Sequence, residues 1–361
     1  MILDRLRLGA ILLTLGVAAS LVAAVNDTPV IVGDGRISTS PRMGYVYSCQ
    51  TQFRPGPGLQ KGGPWIEEDR WYPGRKPRVE GEVSWPATFA IEPAGDRRGI
   101  RGNSLPNHVT GHFPIRRTDP AYRHDPNPNA IREQPLLATL PLMPTMAAEP
   151  GCVPMGPIGF ALSGAYIYNA LDAQGRDAPV HEMQDRCNGH PEGNGRYHYH
   201  NWSPCLSDSA GAAGRHSDLV AYARDGFGIF GPHGAGGKVL TNQDLDACHG
   251  HQHEIEWDGR RVDLYHYHYT REYPYAVGCF RGTPVALARP AQDGKGGAAS
   301  KKGSPSTGEQ PIAVAARELG LDADRLRQAL GPPPPDFSSA AASLGIDEQR
   351  LRDVMQRARG R

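Results

Sequence analysis

The sequence lacks three features that would point to common classes of protein. It has no Cys-x-x-Cys motif, which excludes a thioredoxin-type redox pair and a paired-cysteine zinc knuckle. Its charge is nearly balanced, with 39 Lys and Arg against 38 Asp and Glu, so it has no overall electrostatic attraction for nucleic acid. Beyond residue 25 it has no apolar run long enough to span a bilayer. We therefore expect no nucleic-acid partner and no stable membrane span in the mature chain.

Glycine and proline, in contrast, are abundant. The 44 glycines and 33 prolines make up about a fifth of the chain, against a usual share of about an eighth. This excess disfavours a helical bundle and favours short strands joined by many turns. The predicted fold class is mainly β: a short-stranded, loop-rich domain stapled by disulfides, with an internal duplication and a short helical C-terminal tail.

The N-terminus has the pattern of an export signal. Arg5 and Arg7 form a positive region, residues 8–21 are apolar, and Val-Ala-Ala at residues 22–24 is a suitable cleavage site. We predict that residues 1–24 are a signal peptide, with an uncleaved anchor as the alternative. The mature protein is then expected to be periplasmic or secreted.

Composition divides the remaining chain into three parts. Residues 25–285 carry almost all the chemically unusual side chains and are predicted to form the β-rich domain. Residues 286–310 are rich in Gly, Lys, Ser and Ala, which is typical of a flexible linker. Residues 311–361 are predicted to be a helical tail.

The tail contains two copies of a 25-residue unit. Gly320 and Gly345 are placed to end one helix in each copy, and Asp322 and Asp347 are suitable N-caps for the next. We expect this tail to serve as a docking segment for a protein partner, because balanced charge and export disfavour a DNA-binding helix-turn-helix.

The histidines are clustered and patterned. Eleven of the 14 histidines fall between His181 and His268. Two units, residues 185–205 and 246–279, each contain in the same order an Asp, a Cys, a Gly-His pair, a Tyr-His-Tyr-His run and a second Cys. Such a match predicts an internal duplication.

Hairpin geometry can be derived for the second unit. Asp258-Gly259 is the preferred pair for a type I′ turn, and a two-residue turn fixes the register of its strands. Ile255 then faces Val262, and the same register places His251 opposite His266 and His249 opposite His268. Facing side chains share one side of a hairpin, so four imidazoles are expected together. The register also sets Glu254 against Asp263, an unfavourable pair of like charges.

The first unit permits a parallel construction. Residues 193–195 (Gly-Asn-Gly) suit a three-residue hairpin loop, which places His190 opposite His198. Asn188 then takes the place of His249, opposite His200, so three imidazoles are expected here. The tyrosines of both runs are expected on the opposite face, where their hydroxyl groups can find partners.

Clustered imidazoles on facing strands favour a divalent metal, because an ion satisfies several buried nitrogens at once. Neutral imidazole suits zinc or copper. The predicted metal ligands are His190, His198, His200, His249, His251, His266 and His268. Asp185 and Asp246 are predicted to accept hydrogen bonds from the outer ring nitrogens. The alternative is that these histidines bond only to Tyr hydroxyls or carbonyls, and His181, His216 and His233 are interpreted as ordinary polar residues.

The six cysteines flank the two units. By the duplication, Cys187 pairs with Cys205 and Cys248 with Cys279, which leaves Cys49 for Cys152. Six cysteines allow fifteen connectivities, and a thiolate ligand or a catalytic cysteine is the rival interpretation.

At these residues the chain resembles the YHYH domain proteins. The similar segments span about residues 33–282 and are residues 169–172, 175–177, 185–190, both Tyr-His-Tyr-His runs, 225–227 and 278–282. The resemblance implies an exported protein and no particular reaction.

Three functions remain open at this point. The first is an exported protein that binds zinc or copper through the duplicated histidines. The second is a metal-dependent hydrolase or oxidase with an open position on its ion, in which Asp185, Asp246 or Glu182 serves as a general base. The third is a metal-free interaction module.

Overall fold

A computed structural model describes residues 28–53, 60–208, 214–287, 311–330 and 337–359. The chain divides into two compact units between residues 291 and 292, and each is described by itself. The predicted signal peptide and residues 288–310 of the predicted linker lie outside the described residues.

The first unit is built from short strands, and the predicted mainly β class is confirmed. Its strands are β1 (Val30–Ile31), β2 (Ile37–Ser38), β3 (Val46–Tyr47), β4 (Ile66–Glu67), β5 (Arg70–Trp71), β6 (Phe89–Ala94), β7 (Arg97–Gly102), β8 (Leu136–Pro141), β9 (Met146–Gly151), β10 (Pro157–Ala161), β11 (Tyr166–Tyr168), β12 (Gly189–Pro191), β13 (Tyr197–Tyr199), β14 (Leu219–Ala223), β15 (Gly228–Phe230), β16 (Gly250–Trp257), β17 (Arg260–His268) and β18 (Phe280–Gly282). Its helical elements are α1 (Ala178–His181) and the 3₁₀ turns Pro73–Arg75, Pro120–Arg123, Ala235–Gly237 and Asn242–Asp244.

The central sheet has eight strands in the order β12-β13-β11-β10-β14-β15-β17-β16. Each half of the sheet contains a hairpin, β10–β11 in the first half and β14–β15 in the second. The second strand of each hairpin pairs in parallel with the strand that carries a Tyr-His-Tyr-His run, which is β13 in the first half and β17 in the second. The halves join where β10 and β14 run antiparallel. The duplication is therefore larger than the histidine pattern indicates, because it includes the preceding hairpin of each copy.

The main hydrophobic core packs on this sheet. Phe160, Ile167 and Tyr199 of the first copy and Ile229 and Tyr267 of the second are all fully buried in it. At about 25 cal/mol per Å² of buried apolar area, these side chains are a major source of the sheet's stability. The Tyr-His-Tyr-His runs thus lie in the interior of the unit.

All three predicted disulfides are present, joining Cys49 to Cys152, Cys187 to Cys205 and Cys248 to Cys279. No cysteine is free, which removes the thiolate and catalytic-cysteine interpretations. The second and third disulfides each close one copy of the duplicated unit, so they hold the Asp-x-Cys turn against the segment that follows the histidines.

The second unit contains helices α2 (Pro311–Leu319), α3 (Ala323–Leu330), α4 (Phe337–Leu344) and α5 (Glu348–Arg359). Gly320 and Gly345 follow α2 and α4 with φ of 68° and 69°, as a helix-ending glycine requires. Asp322 accepts from Arg325 N and Asp347 from Arg350 N, which caps the next helices. The four helices share an apolar core of their own.

Among the described residues, no helix is both long and apolar enough to cross a membrane.

Candidate metal centres

Each duplicated unit begins with an aspartate that holds a tight turn. Asp185 accepts hydrogen bonds from Cys187 N at 2.9 Å and from the Tyr197 hydroxyl at 3.0 Å. Asp246 does the same with Cys248 N and the Tyr265 hydroxyl, both at 2.9 Å. The two carboxylates therefore lie on the tyrosine side of the strands. Their predicted role as partners of the imidazoles is wrong, because backbone and tyrosine donors occupy them.

Both predicted hairpin registers are confirmed. In the second copy His251 pairs with His266 and Ile255 with Val262, around a turn whose Asp258 has φ of 49°. In the first copy His190 pairs with His198, around a loop in which Gly195 has φ of 90°.

Each member of the like-charge pair that this register creates has a hydrogen-bond donor in a diagonal position. Glu254 bonds to Arg261, and Asp263 accepts from Gln252 Nε2 at 3.1 Å. Each acidic side chain therefore has a donor from the opposite strand, so the register carries no uncompensated repulsion.

The tyrosines occupy the other face, as expected, and their hydroxyls are bonded. Tyr267 donates to the buried carboxylate of Asp225 at 2.5 Å. In the first copy the Tyr199 hydroxyl lies 3.0 Å from Ser163 Oγ. Ser163 and Asp225 hold the same place in hairpins β10–β11 and β14–β15, so each copy anchors its strand in the same way.

The first cluster comprises His190, His198 and His200, all of which are buried. His198 Nε2 lies 3.0 Å from His200 Nε2. Two nitrogens bound to one zinc or copper ion at about 2.0–2.1 Å lie roughly 2.9–3.4 Å apart, so this spacing fits a shared ion.

Hydrogen bonds fix the tautomers of these two rings. His198 donates from Nδ1 to Arg196 O at 3.1 Å, and His200 donates from Nδ1 to Asn169 O at 2.5 Å. A carbonyl oxygen only accepts, so each neutral ring carries its proton on Nδ1. The facing Nε2 atoms then present two bare lone pairs to each other. A metal ion between them converts this repulsion into two coordinate bonds.

Glu182 adds a carboxylate beside the first cluster. Its Oε2 lies 3.4 Å from His190 Nε2 and 3.4 Å from His200 Nε2. This oxygen is buried and has no hydrogen-bond partner among the described residues. Burial raises the pKa of a carboxyl group, but the neighbouring His190, His200 and Lys76 together lower the pKa of Glu182 to about 2. Glu182 therefore places a negative charge where a cation would lie.

The second cluster comprises five imidazoles whose ligand atoms all lie within 4.8 Å of one another, namely His216, His251, His253, His266 and His268. His251 Nε2 lies 3.1 Å from His266 Nε2, which again fits two ligands of one ion. The rings lie 4.6–5.3 Å apart between centroids in all the contacts that join them.

The same tautomers occur here. His266 donates from Nδ1 to Leu264 O at 2.9 Å, and His268 donates from Nδ1 to Gly231 O at 2.6 Å. These carbonyl groups hold the places that the carbonyl groups of Arg196 and Asn169 hold in the first copy. The duplication therefore preserves the hydrogen bond that Nδ1 of each ring donates to the backbone. Nε2 of His268 is buried and has no partner within the described part of the chain.

His249 does not join the cluster, and its predicted position on that face is wrong. The backbone continues the register, since His268 N donates to His249 O at 3.2 Å. However, His249 has φ of 76°, which turns its side chain away from the strand face. Its Nε2 lies 2.9 Å from Thr270 Oγ1 instead.

Two histidines of the second cluster were missed from the sequence. His253 follows His251 by two positions on β16, so strand alternation alone places it on the same face. His216 precedes β14 and reaches the cluster only through the folded sheet. Its Nδ1 donates to Ser217 O at 2.8 Å, which turns Nε2 inward. Nothing in the local pattern around His216 indicates this.

Burial favours the neutral form, which binds metals, in five of the clustered imidazoles, namely His190, His198, His251, His266 and His268. Loss of hydration lowers the pKa of His190 and of His251 to about 4 and that of His266 to about 2. For His198 and His268 the pKa is lowered well below its usual range by burial and by neighbouring histidines.

The sequence that contains the first cluster matches the model of a known family. Residues 137–239 match the family model described as YHYH protein. This YHYH segment contains the run at residues 197–200 and all three histidines of the first cluster, which confirms the resemblance over these residues. The second run, at residues 265–268, lies beyond the YHYH segment. Searches among curated proteins and among solved structures find no match.

Proposed function

We propose that this protein binds two transition-metal ions, zinc or copper, one at each histidine cluster. The observation that carries the proposal is the contact between His198 Nε2 and His200 Nε2 at 3.0 Å. Both rings use Nδ1 to donate to a carbonyl, so neither Nε2 has a proton to donate when the rings are neutral. Bare nitrogens held this close in a buried site lose hydration without a replacement, unless an ion binds them.

The second cluster supports the same function independently. Its His251–His266 contact repeats the short Nε2–Nε2 spacing, and the ligand atoms of its five imidazoles all lie within 4.8 Å of one another. Imidazole ligands suit zinc and copper. The ligand set of this centre comes from one protein chain, so no partner is needed to complete it.

Metal analysis of the full chain tests the proposal. We expect about two equivalents of zinc or copper per chain after reconstitution and removal of excess metal, measured by elemental mass spectrometry. The double substitution His198→Ala/His200→Ala should remove one equivalent, and His266→Ala/His268→Ala should remove the other. His112, whose ring meets Arg116 at the surface, provides the matched control His112→Ala.

The outcome that contradicts the proposal is a wild-type chain that is folded by circular dichroism yet retains no metal. The metal-free interaction module would then be the better description. Equal stoichiometry in the wild type and both double variants would instead show that the bound metal lies elsewhere.

Export to the periplasm or the exterior belongs to the same proposal. Three disulfides fit an oxidising compartment, where such bonds persist. The N-terminal pattern predicts cleavage after Ala24. Mass spectrometry of the mature protein should show an N-terminus at Val25, and an intact Met1 in exported material would contradict cleavage at this site.

A further inference from the structure

A cavity of about 420 Å³ lies where the segments that follow the two Tyr-His-Tyr-His runs meet. Trp202 of the first copy and Thr270 and Arg271 of the second copy are part of its wall. The Trp202 ring meets the Tyr269 ring edge-on, with the ring centroids 5.4 Å apart, so the two segments are in contact here. No histidine of either cluster belongs to the described wall. The cavity is therefore separate from the candidate metal centres, and its volume is within the usual range for small-molecule sites.

Most of the wall is apolar and flat. Trp71 and Tyr275 are buried, and Trp202 is half-buried. Five prolines lie between these aromatic side chains and the polar part of the wall. A proline has a fixed φ and no backbone N–H group, so these segments keep their shape and offer no backbone donor at the proline itself. Such a surface is suited to packing against an aromatic ring.

The charged side chains of the described wall are all basic, namely Lys76, Arg78 and Arg271, and no Asp or Glu accompanies them. The Lys76 ammonium group is already bonded, because it donates to Pro179 O and Glu182 O, both at 2.5 Å. Within the described part of the chain, neither Arg78 nor Arg271 forms an ion pair with a carboxylate. Two guanidinium groups therefore lie at the cavity without a counter-ion.

Arg271 is the more informative of these two cations. Its side chain is half-buried, and its Nη2 donates to Thr28 O, which uses one of the five N–H groups of a guanidinium. Burial without an acidic neighbour is unfavourable for the charged form, and it lowers the pKa of Arg271. In the first copy Ser203 holds the place of Arg271, three residues after the last histidine of the run. The duplicated fold thus does not require a cation at this position, which indicates a role specific to the cavity.

We propose that this cavity binds a small organic oxyanion that has an aromatic body. The apolar wall around Trp202 holds the ring, and Arg78 and Arg271 hold the oxyanion. A guanidinium group recognises a carboxylate or a phosphate through two parallel hydrogen bonds, which gives orientation as well as affinity. The proposal needs no metal ion, so it stands or fails independently of the proposed function.

Isothermal titration calorimetry of the full chain with 3-phenylpropionate as the probe tests the inference. We expect saturable binding that weakens as NaCl is raised, since salt screens the charge pairing. The neutral amide of the same acid should bind about 10-fold more weakly or worse, because a hydrogen bond to a charged group is lost. Acetate, which has the charge without the ring, should also bind at least about 10-fold more weakly.

Two kinds of variant separate the contributions of charge and ring. Arg271→Gln and, at the exposed Arg78, Arg78→Gln should each weaken binding of 3-phenylpropionate but leave binding of the amide unchanged. Trp202→Ala should weaken binding of both probes. The matched control is Arg186→Gln, which alters an exposed arginine paired with Glu82 outside the cavity and should change neither affinity. Circular dichroism establishes that each variant is folded, and the metal content should equal that of the wild type.

Phenyl phosphate, titrated in parallel, distinguishes the two sources of an oxyanion, and saturable binding of either anion supports the inference. Equal affinity of the folded wild-type chain for 3-phenylpropionate and its amide would overturn it, as would the absence of saturable binding of both anions. Unchanged affinity for the anion in both Arg271→Gln and Arg78→Gln would overturn the assignment of the oxyanion to this cavity.

Discussion

Asn188 and His249 occupy the same position in two copies of one turn, and both have positive φ, at 55° and 76°. Asn188 donates from Nδ2 to Trp202 O at 2.7 Å, and the His249 ring contacts Thr270, which holds the place of Trp202 in the second copy. The shared backbone conformation therefore directs both side chains away from the imidazoles. This position serves the turn in each copy.

It follows that His249→Asn should be tolerated. The substitution copies the residue of the first unit, and asparagine adopts positive φ more readily than most residues. We expect unchanged metal stoichiometry by elemental analysis, whereas His251→Asn should weaken binding at the second cluster. A loss of metal in His249→Asn similar to that in His251→Asn would contradict the structure.

Asp225 should be a major determinant of stability. It accepts from the Tyr267 hydroxyl at 2.5 Å and from Gly282 N at 2.9 Å, and it is buried. Asp225→Ala leaves buried donors unpaired, so the free energy of unfolding should fall by about 3 kcal/mol or more in urea titrations. Ser163→Ala, at the equivalent place in the first copy, should cost about 1 kcal/mol. Equal losses in the two variants would contradict this difference.

Acid should destabilise the metal-free protein. The pKa of buried His190 is about 4, against about 6.5 in an unfolded chain. Between these values the unfolded state takes up a proton that the folded state does not, so stability is full above pH 6.5 and falls as the pH decreases toward 4. Each such group contributes about 1.4 kcal/mol per pH unit in this window.

Urea unfolding at pH 7 and pH 5 measures this dependence, and His190→Gln should reduce its slope. A slope that is the same in the variant and the wild type would mean that His190 is accessible to protons in the folded state.

The three disulfides should contribute unequally. Cys49 and Cys152 are separated by 103 residues, whereas Cys187 and Cys205 are separated by 18. Closing the longer loop removes more entropy from the unfolded chain, so Cys49→Ser/Cys152→Ser should destabilise by about 1–2 kcal/mol more than Cys187→Ser/Cys205→Ser. Thermal unfolding of the two variants under identical conditions makes the comparison, and the reverse order would contradict it.

Local patterns in the sequence determined much of this protein. The Asp258-Gly259 pair set the register of β16 and β17, because a two-residue type I′ turn allows only one pairing of its strands. The repeated order of Asp, Cys, His and Tyr set the disulfide pairing and the parallel construction of the first hairpin. These features depend on residues that are close in sequence, which is why pattern and spacing were sufficient.

Tertiary structure alone decided which groups meet. His216 reaches the second cluster from the segment before β14, and Glu182 reaches the first from the end of α1, because the sheet brings these distant segments to its histidine-bearing strands. A single backbone dihedral angle removed His249, which strand alternation would have placed among the ligands. Spacing along one hairpin describes neither effect, since one depends on the packing of separate segments and the other on the conformation of a turn.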